Sequence, residues 1–128
     1  MTLSPYATTL GIARVPGEGA PVLELPFAEG VVGRPGFLHG GAIAGLLEVA
    51  ALAALAHALE ERGAATTGIR PVTVTTDFMR GGRDKPTRAA GVVTRLGGRV
   101  ANVEATAWQD QRDRPIAKAR MNFLLVRE

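Results

Sequence analysis

Residues Ala42–Leu59 read A-I-A-G-L-L-E-V-A-A-L-A-A-L-A-H-A-L, a run without proline, dominated by the strong helix formers alanine and leucine. The run is nearly long enough to cross a bilayer. Glu48, close to its middle, would be costly in lipid, and alanine and glycine add little to insertion. A helix that is apolar all round is otherwise one enclosed by its own protein. The expectation is a core helix that ends in the polar turn Glu60–Gly63, with Gly63 as its glycine cap.

On either side of that helix the pattern changes to strands. Thr8–Val15 and Val22–Phe27 are short candidates separated by the turn-forming P-G-E-G of Pro16–Gly19. After the helix come Val72–Arg80, Thr87–Leu96, Val100–Gln109 and Pro115–Val126. In the last, Ala117, Ala119, Met121, Phe123 and Leu125 alternate with Lys118, Arg120 and Asn122, the period of a half-buried strand. Val72, Val74, Thr76 and Phe78 alternate in the same way. Gly97-Gly98 and Asp110–Asp113 read as hairpin turns. The expected fold is α+β: two short strands, the helix, then a four-stranded meander, with one antiparallel sheet burying its apolar face around the helix. Such a sheet leaves edges unpaired, so a homodimer is expected before any function is considered.

Composition narrows the classes. The 128 residues are assigned to one domain, 1–128. With 46% hydrophobic and 21% charged residues the chain resembles ordinary globular proteins. No cysteine is present, which removes disulfides and thiolate metal sites and fits a cytoplasmic setting. Met1–Leu10 lacks the pattern of a secretory signal. The net charge of +3 admits polyanionic partners, but one tryptophan and one tyrosine leave few stacking platforms, so neither nucleic acid nor membrane is expected as a partner. No His and carboxylate grouping has metal-ligand spacing, so no metal or other cofactor is expected. Ser4, the sole serine, has no base placed beside it.

The chemistry concentrates just before the helix, in R-P-G-F-L-H-G-G, Arg34–Gly41. Glycines at a helix start let a ligand approach the backbone, and the first N–H groups there have no internal partner and sit at the positive end of the dipole. Such N–H groups suit an anion or a developing oxyanion. From the glycines alone, a plain tight turn is the commoner reading. Glu48 adds weight, because a lone carboxylate on an apolar helix is expensive to bury unless paired or functional. Its neighbours one turn away, Ala44, Gly45, Ala51 and Leu52, cannot neutralise it. A solvated stripe, an arginine from the sheet and general-base work all remain open on chemistry alone. Glu48 lies eight residues beyond Gly40, a rise of about 12 Å. Both groups can serve one carbonyl if two helices run antiparallel across a dimer axis, which predicts two composite sites per dimer.

The run H-G-G-A-I-A-G-L-L-E, His39–Glu48, resembles the motif of the PaaI-type hotdog acyl-CoA thioesterases. There a His-Gly-Gly opens the central helix and an acid follows nine residues after the histidine. V-T-V-T-T-D-F-M-R-G, Val72–Gly81, is similar to that family's next strand, and the likeness runs from about Leu10 onward. It implies a hotdog fold, an obligate homodimer or a dimer of such dimers, and hydrolysis of an acyl-CoA to acid and CoA. It also implies Glu48, Gly40 and His39 as catalytic residues, with His39 as a positioning group. Gly41, Gly33, Arg34 and Phe78 would contact substrate, and Arg80 and Arg83 would meet the CoA phosphates. Many relatives carry Asn or Gln six residues before the histidine, where this chain has Gly33. That departure raises a second reading, a hotdog protein that binds acyl-CoA without hydrolysing it. His57, Trp108 and Phe123 are read as structural.

Overall fold

The computed structural model describes residues 3–64 and 68–126. Its central element is α2, Gly40–Glu61, two residues longer at each end than the apolar run suggests. Its C-terminus closes as expected of Gly63, which adopts φ +65°. The Gly63 N–H donates to the Glu60 carbonyl and the Ala64 N–H to the Leu59 carbonyl, both at 3.0 Å, the paired bonds of a Schellman ending. By length and composition α2 could cross a membrane, with a mean hydropathy of 1.9 over its most apolar window. Most of that window is enclosed by the sheet instead, which accounts for its apolar character.

The strands are β1 (Ala13–Arg14), β2 (Val22–Leu25), β3 (Gly68–Phe78), β4 (Thr87–Leu96), β5 (Val100–Trp108) and β6 (Ala117–Val126). They form one antiparallel sheet in the order β1-β2-β4-β5-β6-β3. The sheet curves round α2, which packs chiefly on β4 and β5. Close approach there depends on Gly91 of β4. A Cβ at that position would lie 2.8 Å from the Ala54 Cβ and 3.0 Å from the Ala50 carbonyl oxygen. The inward residues of β6, Ala117 through Leu125, are all buried, as their alternation requires. Trp108 and Phe123 are packing residues, both buried, with Arg112 stacked on the Trp108 ring. His57 lies 3.1 Å from Glu61 one turn on.

Three expectations need correction. The first candidate strand, Thr8–Val15, starts inside a helix, α1 (Pro5–Leu10), and only Ala13–Arg14 of it pairs as a strand. The Ser4 side chain accepts the Ala7 N–H, Pro5 takes the first turn, and Gly11 ends the helix at φ +80°. These local caps outweigh the β-branched Thr8 and Thr9. Second, the four strands after the helix are not a simple meander. Only β4, β5 and β6 are, while β3 lies beyond β6 at the far edge. The chain returns from that edge through Met79–Pro86, passing under the tip of α2. There the Leu38 N–H donates to the Gly82 carbonyl at 2.9 Å and Phe37 bridges to Arg83. Third, Asp110–Asp113 belongs to a longer loop, with a turn closed by the Arg114 N–H on the Gln111 carbonyl, rather than to a tight hairpin.

The strand β3 also bears on the site. Val74, Thr76 and Phe78 pair with Met121, Ala119 and Ala117, so they share the helix-side face of the sheet. A bulge at Val72 interrupts the register. Yet α2 does not reach far enough to cover them: Val74 is 47% exposed and Phe78 55%. An apolar strip therefore lies open beside an unpaired strand edge.

Candidate active site

The pre-helix loop is drawn tight against the start of α2. The His39 N–H donates to the Val31 carbonyl at 2.8 Å, and the Gly33 N–H to the Phe37 carbonyl at 3.0 Å. His39 is the N-cap of α2, and its Nδ1 accepts the Gly41 N–H at 2.8 Å. With Nδ1 as acceptor, the proton of the neutral ring belongs on Nε2. Gly41 is small for a reason, since a Cβ there would stand 2.9 Å from His39 Nδ1. The Ala42 and Ile43 N–H groups both turn to the His39 carbonyl. Among the described residues, the Gly40 N–H alone of this first turn meets no acceptor. Gly40 is thus the open donor of the tip, whereas Gly41, expected to assist it, has its N–H committed to His39.

Gly40 lines a cleft of about 590 Å3. Of the residues singled out from sequence, Gly33, Arg34, His39, Gly40, Phe78 and Arg80 all line it. The Phe78 ring stands over Gly40, 3.7 Å from where a Cβ would lie. Gly33 contributes backbone only, because a Cβ there would come within 2.9 Å of the His39 Cα. Any side chain at this position would require the backbone at His39 to shift. Arg83 lies outside the cleft, in a neighbouring concavity, and both Arg83 and Arg34 stack on the Phe37 ring at 4.3 and 4.0 Å. Sequence reading missed Phe37, Leu38, Ile43 and Met79, which give the cleft its apolar walls, and Gly81 and Gly82, where the return loop passes beneath. The paired glycines after a strand were the available signal. A Cβ on either would meet Phe37 or Leu38 at about 3 Å.

Glu48 is not in this cleft. It is half-buried, on a strip of α2 with Gly41, Ala44 and Leu52 that the sheet leaves partly uncovered. Among the described residues its carboxylate has no hydrogen-bond or ionic partner. The single chain therefore keeps the donor and the acid apart along one helix, as their spacing requires. Among the described residues no three His, Cys, Asp or Glu side chains are grouped to hold a metal.

A family model described as the thioesterase superfamily matches residues 35–116, from the pre-helix loop to the residue before β6. The chain belongs to the thioesterase superfamily. Its sheet-wrapped helix is the hotdog fold of that superfamily's solved members. A protein from Chromobacterium violaceum is 36% identical, with a TM-score of 0.73 over 95% of this chain and 83% of that one. A conserved protein from Pseudomonas aeruginosa is 25% identical, with a TM-score of 0.79 over 97% and 95%. A Bacillus halodurans protein solved with CoA shares the fold at 20% identity, with a TM-score of 0.80 over 98% and 80%. No curated protein matches the chain.

Proposed function

We propose that the chain is an acyl-CoA thioesterase, working as a homodimer whose two active sites are each built from both subunits. The observation that carries this reading is the split of the machinery. Gly40, its N–H unpartnered, lines an apolar cleft, while the one acid in the body of α2 lies about 12 Å along the same helix on an uncovered strip. A second copy, its α2 antiparallel to the first, would bring Glu48 of the partner subunit to the Gly40 tip. The exposed apolar strip of β3 and its open edge offer the surface for that pairing.

In the proposed reaction the thioester carbonyl oxygen takes the Gly40 N–H, and the dipole of α2 favours the negative charge that develops there. Glu48 of the partner subunit accepts a proton from water as the water oxygen bonds to the carbonyl carbon. The tetrahedral intermediate collapses, the carbon–sulfur bond breaks, and the proton passes to the departing CoA sulfur. Direct attack by the same carboxylate, through a mixed anhydride that water then opens, uses the same two residues. His39 acts through the loop, holding Gly41 and so the angle of the Gly40 N–H. Support also comes from superfamily membership and from the CoA bound to the Bacillus halodurans relative.

The experiment is release of free thiol from a panel of acyl-CoA esters. Glu48→Gln should lose most turnover while staying folded, and a Glu48→Gln protein as fast as the wild type would remove Glu48 from the mechanism. Gly33, where a Cβ would stand 2.9 Å from the His39 Cα, favours a second reading, a protein that binds acyl-CoA without cleaving it. Tight CoA-ester binding with no thiol released from any ester would establish that one instead.

A further inference from the structure

The chain's one tyrosine, Tyr6, stands on α1 and takes no part in the cleft at the tip of α2. The short helix that carries it is anchored. Ala7 is fully buried, its N–H donates to the Ser4 side chain at 3.2 Å, and its carbonyl accepts the Ile12 N–H at 3.0 Å. Tyr6 and Leu10, four residues apart, project from one face of α1. Both come to rest on α2 at Gly45. A Cβ there would stand 2.8 Å from the Tyr6 hydroxyl oxygen and 3.1 Å from the Leu10 Cδ1. The bare backbone of Gly45 is what lets the phenol reach the helix.

Gly45 borders the strip that carries Glu48, with Gly41 one turn before it and Glu48 one turn after. Gly45 is buried while Tyr6 is 53% exposed, so the ring stands at the margin of the uncovered part of α2. Helix neighbours three residues apart hold their Cβ atoms about 5–6 Å from one another. The Tyr6 hydroxyl is therefore within about 9 Å of the Glu48 Cβ, a gap the glutamate side chain can close with at most one bridging water. Among the described residues neither the phenol nor the carboxylate has a hydrogen-bond or ionic partner. A phenol O–H can donate and a carboxylate can only accept, so the two are matched as well as adjacent.

We propose that Tyr6 is a positioning residue of the composite site, its O–H donating to Glu48 of the same chain, directly or through one water. The inference rests on the thioesterase reading above and adds a residue to the Glu48 half of that site. The bond fixes one carboxylate oxygen and leaves the other to take the proton of the water that attacks the thioester at Gly40 of the partner subunit. The phenol keeps its own proton throughout, so the balance of the hydrolysis is unchanged. Docking of the second copy over the strip draws both groups out of bulk water, where such a bond gains strength.

The test is Tyr6→Phe in the full-length protein. Its hydroxyl has no partner within the described chain, so the variant should melt within about 2 °C of the wild type. With acyl-CoA, kcat should fall about tenfold, the size of a hydrogen bond to a charged group, while KM stays within about twofold. Mixing subunits then locates the residue. Tyr6→Phe with Gly40→Pro leaves one intact site in every mixed dimer, so an equal mixture should rise to about a quarter of wild-type turnover. Tyr6→Phe with Glu48→Ala puts one lesion in each Glu48 half and leaves no intact site. That mixture should stay near about one-twentieth, the mean of the two proteins assayed apart. A wild-type kcat in Tyr6→Phe beside an inactive Glu48→Gln removes Tyr6 and leaves the hydrolase standing. A raised KM with kcat unchanged, or recovery in the Glu48→Ala mixture, overturns the positioning role as well. A wild-type protein inert toward every ester removes both readings.

Discussion

Replacing Gly40 by proline isolates one atom pair, the N–H proposed to hold the oxyanion. Gly40 is the first residue of α2, the position where proline is best tolerated because no helical bond uses its nitrogen. The preceding residue, His39, already has φ −66° and ψ 133°, the extended conformation that proline demands of its neighbour. Gly40→Pro therefore removes the donor with little cost to the fold, and its melting temperature should stay within about 3 °C of the wild type. Loss of one oxyanion donor elsewhere lowers kcat by about 10² to 10³, or roughly 2.7–4 kcal/mol of transition-state stabilisation. Gly40→Ala is the matched control: it keeps the N–H, and its Cβ would meet the Phe78 ring at an ordinary 3.7 Å. Thiol release from saturating acyl-CoA should fall by that factor in the proline variant and by less than about threefold in the alanine variant. Equal activity in both would refute the role given to the Gly40 N–H. Equal loss in both would trace the effect to crowding against Phe78.

Two further outcomes concern assembly and packing. Val74→Asp puts a charge on the apolar strip of β3, so sedimentation should shift from dimer toward monomer and turnover should fall with it; an unchanged dimer would place the interface elsewhere. Gly91→Ala drives a methyl against the Ala50 carbonyl and Ala54, and should cost about 2 kcal/mol, roughly 7 °C in Tm by scanning calorimetry. An unperturbed Tm would mean that α2 can lift off the sheet at little cost.

The elements with long, regular patterns were legible from sequence. Thr87–Leu96 matches β4 to the residue, and the β6 alternation gives its buried face correctly. Short elements were harder, because six residues of α1 carry too little periodicity to compete with two adjacent threonines, and only the Ser4-Pro5 cap betrays the helix. Strand order was not legible, since β3 has the same alternation at an edge as it would have beside β4. The exposure of Val74 and Phe78 follows from that placement. At the site, the separation of Gly40 from Glu48 could be read from helix rise alone. The loss of the Gly41 N–H could not, because it depends on which way the His39 ring turns. Nor could the placement of Tyr6 against Gly45, which depends on how α1 packs on α2.

Mixing two inactive proteins gives the most direct measurement. Glu48→Ala and Gly40→Pro subunits, each folded and shown to exchange, should regain activity together, since half of the sites in a mixed dimer contain neither lesion. At equal mixing that is about a quarter of wild-type turnover, because half of the dimers are mixed. Activity no higher than that of the two variants assayed separately would contradict a site shared between subunits.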